Sequence, residues 1–133
     1  ETLAALRAAG LRLAVATGKS RKGLDRVWAS SGLGDSFDAS RCADETHSKP
    51  HPAMVTELLT ELGVAPERAL VVGDTSFDLQ MARDAGVDRV AVSYGAHPVD
   101  RLMNFHPLAV IDALPQLLPL LGVECETHFE ETV

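Results

Sequence analysis

The sequence predicts an α/β fold, a three-layer Rossmann-like parallel sheet with helices on both faces, and three observations carry that prediction. Short apolar runs of strand length alternate with longer stretches of helical periodicity. Glycines at 10, 32, 63 and 86 each punctuate the end of a helical stretch. The run Ala69-Leu-Val-Val-Gly-Asp-Thr-Ser-Phe-Asp78 ends an apolar strand on a carboxylate. In open α/β sheets that position faces the ligand crevice beyond the carboxyl ends of the strands.

The elements follow in order. Glu1 to Ala9 reads as a helix with Leu3 and Leu6 on one face, and Leu11 to Ala16 as a strand. Ser20 to Ser31 is a second helix that turns Leu24, Val27 and Trp28 inward. Phe37 to Ser40 adds a short edge strand. Pro52 to Leu62 carries the clearest stripe, Met54, Val55, Leu58, Leu59 and Leu62, and Pro66 lies just beyond its closing Gly63. Strands are expected at 69–72, 89–92 and 108–111, with a helix from about Ser76 to Ala85 and shorter ones near Val99 to Asn104 and Leu114 to Leu121. Residues 1–121 form the core. Residues 122–133, with four glutamates and few large apolar groups, are expected to be a solvated acidic tail.

Composition narrows the class. A chain of 133 residues with 46% hydrophobic and 23% charged residues fits one ordinary globular domain. The net charge of −7 disfavours nucleic acid and anionic membrane as partners. It leaves a small phosphorylated metabolite open, because one cation and one lysine offset charge locally. No apolar run approaches the ~20 residues of a membrane span, and no basic-then-apolar leader opens the chain. Cys42 and Cys125 form no metal or disulfide spacing, so a reducing cytoplasm is the expected compartment.

Chemistry concentrates at three places. Asp74 and Asp78 stand four residues apart at a strand end and in the first turn of a helix, where negative charge is favoured. Two hard oxygen donors there suit Mg²⁺, which keeps positions for water and phosphate, although the same residues also suit an N-cap. Thr17 ends the first strand and Gly18-Lys19-Ser20 leads into a helix, offering a hydroxyl and free N–H groups as a phosphate cradle. Lys49 precedes Pro50 just ahead of the third helix.

Taken together, Ala14-Val-Ala-Thr-Gly-Lys19, Ser48-Lys-Pro-His-Pro52 and Val71-Val-Gly-Asp-Thr-Ser-Phe-Asp78 resemble the second, third and fourth motifs of the haloacid dehalogenase (HAD) superfamily. The resemblance covers about residues 1–121, and the Lys-Pro-x-Pro wording looks like the phosphoglycolate phosphatase-like branch. It implies a Mg²⁺-dependent phosphomonoester hydrolase working through an aspartyl-phosphate. Thr17, with Gly18, would bind the transferring phosphoryl group, and Lys49 would neutralise it and hold the nucleophile. Asp74 would ligate Mg²⁺, with Asp78 a second ligand or the partner of Lys49.

One departure bears on activity. The family's first motif, Asp-x-Asp-x-Thr after an N-terminal strand, supplies nucleophile and general acid, and no such sequence occurs here. The family's cap domain, which largely sets leaving-group selectivity, has no counterpart either. The expectation is a C-terminal core fragment, inactive alone. Its sheet would be incomplete on the N-terminal side, between the strands ending at Thr17 and Gly73. A separate N-terminal segment, a second copy of the chain, or closure of the flanking strands would complete it. A non-catalytic phosphate- or metal-binding scaffold is the alternative.

Other readings fit less well. A receiver domain orders its acidic cluster before Thr and Lys, whereas here the order is Thr17, Lys49, Asp74. No Gly-x-Gly-x-x-Gly follows any strand. Cys42, His47 and His51 lack a fourth zinc ligand. Tyr94, Gly95 and His97 follow a strand and either line the substrate side or form an ordinary loop.

Overall fold

The computed structural model describes residues 2–95, 97–121 and 128–132. Helix α1 spans Thr2–Ala8, strand β1 Leu13–Ala16, helix α2 Arg21–Ser31 and strand β2 Ala39–Arg41. Helix α3 covers Ala53–Leu62, strand β3 Ala69–Gly73, helix α4 Ser76–Asp84 and strand β4 Asp88–Val92. Helix α5 is Val99–Met103, strand β5 Ala109–Ile111, helix α6 Leu117–Leu121 and strand β6 His128–Thr132. The expected elements are all present, with ends shifted by a residue or two. The helix expected from Leu114 divides into a 3₁₀ turn, Leu114–Gln116, and α6.

The sheet is parallel throughout, in the order β2-β1-β6-β3-β4-β5. Side chains alternate across it as the pleat requires. Ala14, Ala16 and Val71 face Met54, Val55 and Leu58 of α3 and Met81 of α4. Leu13, Leu70, Val72 and Val90 face Leu3 and Leu6 of α1 and Leu117 of α6. Val15 meets Leu24 of α2, and Ala91 meets Leu79 of α4 and Leu102 of α5. Both faces of β3 are therefore covered, and all five of its residues are buried. Of the α2 stripe only Leu24 is fully buried, with Trp28 half-buried and stacked on Phe37 at a centroid distance of 6.0 Å.

One expectation needs correction. Residues 128–132 are not a solvated tail: they form β6, which pairs with β1 on one side and β3 on the other. In this chain the expected gap is filled by its own C-terminal segment, so β1 and β3 do not close on each other. The cause is backbone accounting. Between them β1 and β3 would leave two rows of N–H and C=O groups unpaired, and one parallel strand satisfies both. Two glutamates within His-Phe-Glu-Glu-Thr hide that strand from a search for apolar runs. The remainder of the expected tail, 122–127 and 133, lies outside the described residues.

Candidate active site

The end of β3 builds the charged half of the site. Thr75 caps α4 by accepting the Asp78 N–H at 3.2 Å, and Asp78 returns the bond, its Oδ2 accepting the Thr75 N–H at 3.1 Å. The same Oδ2 accepts the Asp74 N–H at 3.1 Å. This reciprocal capping box fixes the turn and the Asp78 rotamer together. A Cβ on Gly73 would stand 2.3 Å from the Asp78 Cβ, so glycine is needed there for space.

The second oxygen of Asp78 takes Lys49. Lys49 Nζ lies 2.6 Å from Asp78 Oδ1, with the two side chains 14% and 1% exposed. Burial works against the Asp78 charge, but the Lys49 ammonium and the Thr75 bonds outweigh it and hold the carboxyl below its ordinary range. Lys49, joined to Pro50 by a cis peptide bond, enters from a loop anchored on both sides. On the α2 side Arg21 clasps Glu45 at 2.8 Å and 3.1 Å, and the Arg21 N–H donates to Asp44. On the α3 side Glu57 accepts from Thr46 at 2.6 Å and from Arg41 at 3.1 Å. The hydrogen bond with Arg21 is the main cause of a lowered Glu45 pKa, so the clasp is ionic at neutral pH.

The end of β1 supplies the uncharged half. Thr17 is fully buried; its N–H donates to the Arg41 carbonyl at 3.1 Å and its Oγ1 accepts the Lys19 N–H at 3.1 Å. Ser20 caps α2 by accepting the Gly23 N–H at 3.1 Å. Gly18 is the residue of this turn that lines the cleft.

These pieces enclose a cleft of about 490 Å³ beyond the carboxyl ends of β1 and β3, within the range of small-molecule sites. Gly18, Lys49, Asp74 and Asp78 line it together, and Thr17 lies immediately behind Gly18. Ser48, Thr75 and Phe77 also line it. Sequence reasoning did not single these out for the cleft, although Thr-x-x-Asp was readable as a capping box. Both Asp78 oxygens are already engaged, which favours its role as partner of Lys49 over that of metal ligand. Asp74 also lines the cleft. Among the described residues no group of three or more His, Cys, Asp or Glu could hold a metal. Two carboxylates in the cleft, one of them paired with Lys49, fit Mg²⁺, which binds through one or two carboxylates plus water and phosphate, and do not fit zinc.

Cys42, His47 and His51 do not make a metal centre. Burial pushes the Cys42 thiol up to about 11. His47 and His51 stack on each other at 4.4 Å, and His51 Nδ1 accepts the Ala53 N–H at 3.0 Å. Cys125 lies outside the described residues.

Comparison with known proteins agrees with this architecture. Residues 1–92 match the model of the haloacid dehalogenase-like hydrolases, and the chain belongs to that family. A phosphoglycolate phosphatase from Pectobacterium atrosepticum is 35% identical over 132 residues, 98% of this chain and 56% of that protein. The pyrophosphatase PpaX of Halalkalibacterium halodurans is 31% identical over 125 residues, 93% of this chain and 58% of its own length. A HAD-family hydrolase from Deinococcus radiodurans, solved with bound phosphate and sodium, superposes with a TM-score of 0.82 at 26% identity. That match covers 90% of this chain and 56% of the solved one. The chain spans about half the length of the curated relatives it matches.

Proposed function

We propose that the whole protein is a Mg²⁺-dependent phosphomonoester hydrolase of the cytoplasm. The observation that carries this is the buried Lys49–Asp78 pair beside Asp74, in one cleft at the carboxyl edge of a parallel sheet. Lys49 is held within reach of a phosphoryl oxygen by Asp78, so it can offset charge there without reorganising. Gly18 brings the β1 turn to the cleft wall, where backbone N–H groups can receive the other phosphoryl oxygens. Thr17, whose hydroxyl already accepts from Lys19, holds that turn in shape. Asp74 would hold Mg²⁺, which when bound supplies charge neutralisation at the phosphate and a template for its orientation.

Attack requires a further carboxylate. Asp78 is committed to Lys49 and two backbone N–H groups, and Asp74 to the cation, so the nucleophile that forms the aspartyl-phosphate comes from another segment of the whole protein. The relatives support a phosphorylated small molecule as substrate. A phosphoglycolate phosphatase and a pyrophosphatase match at 35% and 31% identity, and their substrates share only the phosphoryl end. That shared end is the part this cleft is built to hold. The free, buried Cys42 thiol fits a reducing compartment.

The test uses p-nitrophenyl phosphate with and without Mg²⁺. The whole protein is expected to turn over only with Mg²⁺, and Lys49→Gln to lower kcat/KM by about 10²–10³-fold. Residues 1–133 alone are expected to be inactive. Wild-type rates from Lys49→Gln, or turnover by the isolated chain, would overturn the assignment.

A further inference from the structure

Asp74 is gripped from two sides. Its N–H donates to Asp78 Oδ2 at 3.1 Å, and its carbonyl accepts the His97 N–H at 3.2 Å. The second contact joins β3 to the turn that follows β4. His97 reaches back to the start of α4 as well, its Nδ1 accepting the Ser76 N–H at 2.9 Å. That bond satisfies one of the orphan donors of the first helical turn. The Phe77 ring meets the His97 ring edge-on at 5.4 Å, and Ser93 ties the start of the same turn to β5 through the Ile111 carbonyl. Sequence reasoning left open whether Gly95 and His97 line the substrate side. His97 is engaged with the loop that carries Asp74.

Gly95 makes the contact close. A Cβ built on it would lie 2.0 Å from the Asp74 Cβ, 2.7 Å from Oδ2 and 2.8 Å from Cγ. The nearest atom is rooted in the backbone, so no rotamer change of Asp74 relieves the clash. Gly95 is also absent from the positive-φ glycines, which are 10, 32, 63 and 86, so its backbone conformation does not demand glycine. Space for Asp74 does.

We propose that Gly95 and His97 are positioning residues for the Asp74 carboxylate, setting the geometry in which it meets a divalent cation. The inference rests on Asp74 as the cation's carboxylate and adds what aims it. Any side chain at 95 must push the turn away from β3 or drive Asp74 out of line. In either case the His97 bonds to Asp74 and Ser76 are strained with it. Residues that orient a ligand from behind typically change metal affinity by about 10–100-fold.

Mn²⁺ binding to the whole protein, followed by electron paramagnetic resonance, reads this directly, with Mg²⁺-dependent kinetics alongside. Gly95→Ala is expected to weaken Mn²⁺ binding about tenfold or more. Its activity should recover largely at high Mg²⁺, a change in the KM for metal rather than in kcat. His97→Ala should weaken binding in the same direction. His97→Asn, whose Oδ1 can accept the Ser76 N–H, should restore part of the loss. Should Gly95→Ala fail to fold, the two His97 variants decide the matter. Parental Mn²⁺ affinity in Gly95→Ala, or in His97→Ala when the glycine variant is unfolded, overturns the inference. If binding survives those changes but is lost in Asp74→Asn, the positioning idea alone fails. If Asp74→Asn binds as the parent does, the metal assignment fails and this inference with it.

Discussion

Two turns of the molecule are built to the same local plan and end with opposite electrostatics. Buried β1 and β3 each stop at a turn, and each following helix is capped by a hydroxyl, Ser20 or Thr75, that accepts the N–H three residues on. The difference is the residue at that third position. In α4 it is Asp78, which completes the capping box and takes Lys49. In α2 it is Gly23, where a Cβ would already stand 3.3 Å from the Ser20 hydroxyl. One turn therefore carries two carboxylates and a bound lysine. The other turn presents Gly18 and a positive helix end to the cleft, with Lys19 outside the cleft lining. Under the proposed function, a phosphate between them would meet N–H groups on one side and the lysine on the other.

The two turns are held apart by β6, and removing it should have the largest effect. Deleting 128–133 leaves β1 and β3 with unpaired backbone along the register Leu13–Ala16 and Ala69–Val72. For the 133-residue chain the expected outcome is loss of the monomer, seen as a doubled mass or aggregation in light scattering. An unchanged monomer with native circular dichroism would show that β6 does not support the sheet.

Asp74→Asn comes next. It is nearly isosteric but weakens a hard-cation ligand, so the whole protein should lose about 10³-fold in Mg²⁺-dependent kcat/KM while melting as the parent does. The matched change at the other turn, Gly18→Ala, removes no charge, and a Cβ there meets nothing within 4 Å, so it should cost much less. Equal losses from both would erase the distinction drawn between the turns.

Asp78→Ala should be felt as stability. It strips Lys49 of its partner and two N–H groups of their acceptor, a change worth about 3–5 kcal/mol by the usual cost of breaking a buried pair. The pH dependence carries a sign. The carboxyl of Asp78 titrates below its ordinary 3.8 in the folded chain, so its stabilisation is complete above that value and is lost as pH falls through the folded pKa. Denaturant melts of the parent and of Asp78→Asn should therefore differ by a constant amount from neutral pH down to about pH 4, then converge in stronger acid. Convergence already near pH 6 would mean another group is responsible.

How much of this was legible depends on which force fixes each part. The strands and helices were readable because burial writes a period into the sequence, as in Met54, Val55, Leu58 and Leu59 of α3, all buried as the stripe predicts. Gly18, Asp74 and Asp78 could be placed by counting strand ends and helix starts, whereas Lys49 stood out only through the family motif; all four line one cleft. Thr17 was placed at the right strand end, but its full burial depends on neighbours that spacing does not reveal. β6 was missed because backbone pairing holds it in place and leaves no apolar signature. Gly95 was noticed because it follows a strand, but its close approach to Asp74 was not legible, since that contact joins segments twenty-one residues apart.

Ser20→Ala should have the smallest effect, and it isolates the cap from the charge. Ser20 accepts one helical N–H and touches no carboxylate of the cleft, so its loss should cost about 1 kcal/mol and leave Mn²⁺ affinity unchanged. Thr75→Ala removes the same kind of bond from α4. There the hydroxyl is half of a reciprocal box whose other half is Asp78, so the carboxylate that holds Lys49 loses a constraint along with the helix. Its cost should exceed that of Ser20→Ala, and its activity should fall where that of Ser20→Ala does not. Measured side by side in one melt series and one metal titration, equal stability losses and equal activities would show that Asp78 is held by Lys49 and the backbone without help from the cap.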